Sequence, residues 1–252
     1  MGGLVVKISV IVPFYNTPIE NFKNCINSLK KVNAYEVILV DDCSSNKEVV
    51  KLAKNSGFKY IKTKKQSGSD GTPVNLGVKT AKGDYICRVD SDDMLLQLPQ
   101  KFDTDICFGN IDRLGSAHNI SLEKLILAPQ AYCNALVARK DIFLKHPFAT
   151  DKNVYSDILF LYQILYNDYT YSYFNKVNYI YCNTEGSILN SKSFLHQRLL
   201  NMQTVARFCQ LEQVPQNLAV KYMTMAMKNF YYGSNSIKYL NEPMPLFKDL
   251  PQ

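Results

Sequence analysis

Between positions 88 and 93 the chain reads Arg88-Val89-Asp90-Ser91-Asp92-Asp93, three carboxylates in four residues at the end of the apolar run Tyr85-Ile86-Cys87. Carboxylates this close repel one another, and a protein tolerates that where a cation, or a ligand carrying one, shares the site. Hard oxygen donors suit a divalent metal such as Mg²⁺ or Mn²⁺. A second acidic pair, Asp41-Asp42, ends another apolar run at Tyr35 to Val40, and Ser156-Asp157 opens a long apolar stretch. Acids that follow strand-like runs suit a ligand pocket at the carboxyl edge of an open α/β sheet.

The elements that must position these acids are legible in the first half. Lys7 to Phe14 is a β-branched run stopped by Pro13, as expected of a strand buried on both faces of a parallel sheet. Tyr15-Asn16-Thr17-Pro18 makes a turn, and Ile19, Phe22, Ile26 and Leu29 recur at helical spacing. The second strand, Tyr35 to Val40, runs into the polar loop Asp41 to Ser45 and a helix near Lys47 to Asn55, closed by Gly57. A short strand over Phe58 to Ile61, a Lys-, Ser- and Gly-rich loop from Thr63 to Gly71, and a helix over Thr72 to Thr80 lead back to the strand at Tyr85. Parallel strands joined in this way bring Pro13 to Asn16, Asp41-Asp42 and Asp90 to Asp93 to one edge, the setting of a nucleotide pocket at a topological switch point.

The second half carries no nucleotide signature. Its patterns predict strands at 105–110, 135–138, 171–174 and 177–182, a short helix at Leu122 to Leu127, and a strong helix over Ser156 to Leu165 with Ser156 as N-cap. Two further helices, about 194–211 and 218–232, flank Pro215. In this tail, Lys221, Lys228 and Lys238 mix with Tyr222, Met223, Met225, Met227 and Phe230, a pattern that suits either an anionic membrane surface or packing on the domain.

Composition narrows the class. At 252 residues with 46% apolar content the chain can bury a core. Seven scattered cysteines without a CxxC pair read as reduced thiols of an intracellular protein. No apolar run approaches the roughly 18 residues of a membrane span, and the first 14 residues lack a secretory pattern. Val6 also argues against lipidation at the opening Met-Gly-Gly. The net charge of +7 admits nucleic acid, an anionic membrane or a phosphate-bearing substrate. Nucleic acid is set aside, since a nucleic-acid module has no use for acids at strand ends. His118, His146 and His196 lack metal-ligand spacing, and neither a Walker loop nor GxGxxG is present.

Taken together, Ser9-Val10-Ile11-Val12-Pro13-Phe14-Tyr15-Asn16, then Ile38-Leu39-Val40-Asp41-Asp42-Cys43-Ser44, then Asn75-Leu76-Gly77 through to Asp93, resemble in order and spacing the inverting glycosyltransferases of family 2. The resemblance implies a GT-A type, Rossmann-like, mostly parallel α/β sheet flanked by helices. It would occupy 6–185, with a nucleotide-binding half at 6–98, an acceptor half at 99–185 and a C-terminal helical extension at 186–252. It implies Asp92 as ligand of Mg²⁺ or Mn²⁺, and Asp90 on the metal too, through a water, or on the ribose. Asp42 would accept from the uracil N–H of a UDP-sugar, with Tyr15 against the ring and the Pro13 backbone nearby. Asp157 would be the general base, with Asp151 and Asp168 as weaker alternatives. The partners implied are a nucleotide-sugar donor and a glycan or lipid-linked saccharide acceptor, in the cytoplasm or peripheral at the anionic inner face of a membrane. Three departures stand out: Cys43 replaces a Gly, Val74 an Arg and Ser156 a Glu, and Lys64 or Lys65 is the candidate to replace the missing cation at 74. The alternatives are a sugar-nucleotide nucleotidyltransferase and a non-catalytic basic module binding nucleic acid or anionic membrane.

Overall fold

A computed structural model describes residues 6–112, 115–118, 120–130, 132–182, 194–233 and 235–236. By packing, the chain divides into two compact units. The first holds all the strands among the described residues. Its main sheet is built on β1 (Ile8–Phe14), buried along its whole length, as the unbroken β-branched run requires. Parallel to it lie β2 (Glu36–Asp41) and β4 (Tyr85–Arg88), in registers that set Phe14 beside Asp41 and Ile11 beside Arg88. β3 (Lys59–Lys62) pairs in parallel with β2 and forms one edge, its Lys59 and Lys62 exposed as edge lysines should be.

On the other side come β9 (Val137–Arg139), β6 (Ile106–Phe108) and β10 (Tyr171–Tyr173), in the order β10-β6-β9-β4-β1-β2-β3. β9 is antiparallel to both neighbours, and every other pairing in this sheet is parallel. A smaller sheet orders β5 (Met94–Leu95), β11 (Tyr179–Ile180), β7 (Asn110–Ile111) and β8 (Gly115–Ser116). The mostly parallel α/β architecture is the one expected. The two-residue strands β5 and β8 and the short α5 (Lys140–Lys145) were not, because elements this short show no period.

The helices of this unit follow their sequence signals. α1 (Ile19–Leu29) buries Phe22, Cys25, Ile26 and Leu29. α2 (Lys47–Lys54) is capped by Asn46, whose Oδ1 accepts from the N–H groups of Glu48 and Val49. α3 (Gly71–Thr80) lies so close to the sheet that a Cβ on Gly77 would collide with Ile11 Cγ2. Asn75 ties α3 to the segment after α5, donating to Phe148 O at 2.8 Å and accepting from Phe148 N at 3.0 Å.

The second unit is helical. It contains α4 (Leu122–Leu127), α6 (Ser156–Tyr166), α7 (Phe194–Leu211) and α8 (Gln216–Tyr232). Packing therefore groups the chain differently from a boundary at 185, which lies outside the described residues: α4 and α6 join the C-terminal helices. The reason is visible in α6, whose Ile158 to Ile164 are all buried, so that its apolar surface runs around the helix and needs covering on every side. Phe208 of α7 meets Tyr162, Tyr166 and Tyr222 with centroids 5.8, 5.3 and 6.0 Å away. Tyr222 and Met225 are buried in this unit, whereas Lys238 lies outside the described residues. Ser156 is not the cap expected: Tyr155 holds that position without a side-chain bond, and Ser156 is the first helical residue. No helix among the described residues is long and apolar enough to cross a membrane.

Candidate active site

The carboxyl ends of β1, β2 and β4 converge through two consecutive residues after β1. Asn16, at φ 49°, accepts at Oδ1 from the N–H groups of Ser45 and Asn46, both at 2.9 Å, and its own N–H donates to Ser44 Oγ at 3.0 Å. Thr17 Oγ1 lies 2.6 Å from Ser91 Oγ in the acid turn. A short polar bridge thus joins the loop after β2 to the loop after β4. The sequence showed Asn16-Thr17 only as a turn, because a bridge is defined by partners far along the chain.

Asp41 and Asp42 differ in what they hold. Asp41 is fully buried, accepting from Ser44 N at 2.7 Å and from the Tyr60 hydroxyl at 2.7 Å, so it shapes the loop. Asp42 accepts from Thr63 Oγ1 at 2.9 Å, Ser67 Oγ at 2.9 Å, Ser67 N at 3.0 Å and Gly68 N at 3.4 Å. A carboxylate has about four acceptor positions. The loop after β3 already addresses them. Pro13 is buried within β1, while Tyr15 is 45% exposed beside this edge. Cys43 adopts φ 63°, the left-handed conformation that glycine accommodates without cost, and its Sγ donates to Thr63 O at 3.2 Å.

The acid turn is closed by Asp93 N donating to Asp90 O at 3.1 Å. Its three carboxylates have separate surroundings. Asp90 Oδ1 lies 2.6 Å from Arg88 Nη2, and its Oδ2 accepts from Asn134 Nδ2 at 2.7 Å. Asp93 is buried, accepting from the Tyr179 hydroxyl at 2.6 Å and Cys182 N at 2.8 Å, while that hydroxyl accepts from Asp90 N at 3.1 Å. Burial first, and then the Asp90 charge, push the Asp93 carboxyl up to about 7, against the bonds from Tyr179 and Cys182. Asp93 is framework. Asp92 is half-buried on the turn.

The donor set fits a hard divalent cation of a particular kind. Among the described residues no three His, Cys, Asp or Glu side chains converge to enclose a metal ion. A cation here would keep waters and share its ligands with a phosphate-bearing substrate, which is how Mg²⁺ is commonly held. Of the remaining candidates, Asp157 lies in the first turn of α6 in the helical unit, with Oδ1 accepting from Ile158 N at 2.8 Å. Asp151 and Asp168 are exposed, and Asp151 accepts from Asn153 N at 2.9 Å. Lys64 and Lys65 are exposed on the loop after β3, and Val74 is buried inside α3. Arg88, Asn134, Tyr179, Thr63 and Ser67 were not assigned from sequence. Only Arg88 had a signal there, a cation ending an otherwise apolar strand.

Residues 9–97 match the model of glycosyl transferase family 2. The chain is 36% identical over 98 residues to the poly(ribitol-phosphate) beta-N-acetylglucosaminyltransferase TarS of Staphylococcus aureus, a match covering 36% of this chain and 17% of that protein. It is 26% identical over 272 aligned positions to the cholesterol galactosyltransferase of Borreliella burgdorferi, covering 90% of this chain and 74% of the relative. Among solved structures, S. aureus TarS 1-349 in complex with UDP-GlcNAc superposes with a TM-score of 0.64 at 20% identity, over 94% of this chain and 76% of that one. The Pyrobaculum calidifontis mannosyltransferase in complex with GDP-Man and Mn²⁺ superposes with a TM-score of 0.62 at 14% identity, over 94% and 73%. These likenesses show the GT-A fold.

Proposed function

Residues 9–97 are a glycosyl transferase family 2 domain, and on that premise we propose that the protein transfers a sugar from a UDP-sugar, with inversion, to a hydroxyl of a glycan or lipid-linked saccharide acceptor. The observation that carries this reading is the meeting of Asp42 and the acid turn at one sheet edge through Asn16 and Thr17. Asp42 receives the pyrimidine N–H in place of a loop donor, with the exposed Tyr15 ring beside the base and the Pro13 backbone near it. Asp90, already paired, offers its remaining acceptor capacity to the ribose. Asp92 would hold a Mg²⁺ or Mn²⁺, which would supply positive charge to offset that building on the diphosphate. Asp157 takes the proton of the acceptor hydroxyl as its oxygen forms the new bond to the anomeric carbon and UDP leaves from the opposite face.

The similarity to a structure holding UDP-GlcNAc supports a uridine donor, and relatives acting on poly(ribitol-phosphate) support a surface polymer as acceptor. The net charge of +7 supports a cytoplasmic location against an anionic membrane face. The test is UDP release and UDP binding with Mn²⁺ or Mg²⁺, in wild type, Asp92→Ala and Asp157→Asn, with a panel of UDP-sugars and a mixed glycan pool. Asp92→Ala should weaken metal-dependent UDP binding at least tenfold. Asp157→Asn should keep that binding and lose about a hundredfold or more in turnover. Release of pyrophosphate instead of UDP would identify a nucleotidyltransferase, and absence of UDP binding with either metal would sink the reading.

A further inference from the structure

Arg88 ends β4 with only 5% of its surface exposed, and its guanidinium touches the acid turn from inside the protein. Nη2 lies 2.6 Å from Asp90 Oδ1 and 3.5 Å from Asp70 Oδ2. Nη1 donates to Asn134 Oδ1 at 2.5 Å, and the guanidinium carbon sits 5.7 Å from the centroid of the Phe148 ring. Asn134 closes a three-membered ring by donating from Nδ2 to Asp90 Oδ2 at 2.7 Å. The ring is directional, with the amide accepting from the cation and donating to the anion. Buried charges persist when they are paired and hydrogen-bonded in this manner.

We infer that Arg88 is the resident cation of the acid turn, a positioning residue braced by Asn134 and Phe148. It cancels the charge of Asp90 and keeps that carboxylate engaged, so that the divalent cation of the donor falls to Asp92. Three carboxylates in four residues would otherwise push the turn open until a metal arrived. With Arg88 in place the turn is formed beforehand, and Thr17, Tyr179 and Cys182 can hold Ser91, Asp90 and Asp93 without outside help. The role of Asp92 rests on the donor-site reading above; the claim about Arg88 is tested without nucleotide.

The experiment is thermal unfolding of the full chain with and without millimolar Mn²⁺, in wild type, Arg88→Lys, Arg88→Gln and Asn134→Ala. Wild type should respond to Mn²⁺ by about 1 °C or less. Arg88→Gln, which leaves the half-buried Asp90 carboxylate without its cation, should melt about 5–10 °C lower and recover at least half of that loss in Mn²⁺. Arg88→Lys keeps the charge but cannot span Asp90 and Asn134 together, so it should melt lower without gaining a metal response. Asn134→Ala should show a smaller loss, partly recovered by Mn²⁺. If Arg88→Gln is unfolded in metal-free buffer, the return of its circular dichroism in Mn²⁺ is the same readout. Equal Mn²⁺ responses in all four proteins, or no recovery in either Arg88→Gln or Asn134→Ala, would reduce Arg88 to packing and overturn the inference. A parallel UDP titration keeps the two readings apart, because Mn²⁺ rescue without UDP binding would remove the sugar-transfer reading and leave the role of Arg88 standing.

Discussion

Single residues at the sheet edge are chosen for backbone as much as for side-chain chemistry. Cys43 sits at φ 63°, where a Cβ meets its own backbone, and the residues around it fix that conformation: Asp41 receives Ser44 N, and Asn16 receives Ser45 N. Glycine is free of that strain but loses the contact from Sγ to Thr63 O. Cys43→Gly should therefore leave stability within about 0.5 kcal/mol, and Cys43→Val, with a branched Cβ, should lose about 1–2 kcal/mol. Urea unfolding measures both. Equal losses for Gly and Val would mean that the thiol contact, not the backbone, governs the position. The same logic separates the two neighbouring acids, identical in sequence, because Asp41 is closed by Tyr60 and Ser44 while Asp42 is held by the loop after β3.

At the scale of elements, the sheet edge depends on how closely α3 and the strands approach. Gly77 allows α3 to rest on Ile11 of β1, and Gly77→Ala would place a methyl group in the volume of the Ile11 side chain. The expected cost is about 1–3 kcal/mol by chemical denaturation, with no change in the far-UV spectrum. A second tie is Glu36 of β2, whose Oε1 accepts from Ser9 Oγ at 2.8 Å and from Lys82 N at 2.5 Å, joining β1, β2 and the turn after α3. Burial pushes its carboxyl up, but the bonds from Lys82 N–H and Ser9 and the Lys59 charge outweigh that and hold it below its ordinary 4.5. A depressed folded value means that this stabilisation is complete above pH 4.5 and fades as pH falls through the folded value. Glu36→Gln should thus cost about 1 kcal/mol at pH 7 and close to nothing in strong acid. A difference from wild type that persisted undiminished in acid would show that shape rather than charge is at work.

For the whole molecule the division is between a unit that holds Asp42 and the acid turn and a helical unit that holds Asp157. The helical unit has its own buried polar centre. Asn201 accepts from the Tyr162 hydroxyl at 2.6 Å and donates to Ile126 O at 2.9 Å and to Asn229 Oδ1 at 3.1 Å. Asn201→Leu strands those partners and should lower stability by about 2–3 kcal/mol. UDP affinity, measured on the folded fraction, should stay within twofold. If affinity fell in step with stability, the pocket would depend on the helical unit after all. At this scale the sequence match covers 17% of S. aureus TarS and 74% of the cholesterol galactosyltransferase, so its acceptor is tied to neither.

The sequence by itself determined the parallel core and the sheet edge at which the acids gather. Buried parallel strands are continuous β-branched runs, and their acids fall at the carboxyl ends, so Asp41-Asp42 and Asp90 to Asp93 announce themselves in one dimension. Helices with a clear apolar stripe, α1 above all, were equally legible. Tertiary structure alone decided which acids are already engaged. The partners that engage them, Asn134, Tyr179, Thr63 and Ser67, stand 21 to 89 positions away in the chain and are of ordinary type. It also decided that α4 and α6 pack with the C-terminal helices, because a helix that is apolar all round shows that it must be covered without showing by what.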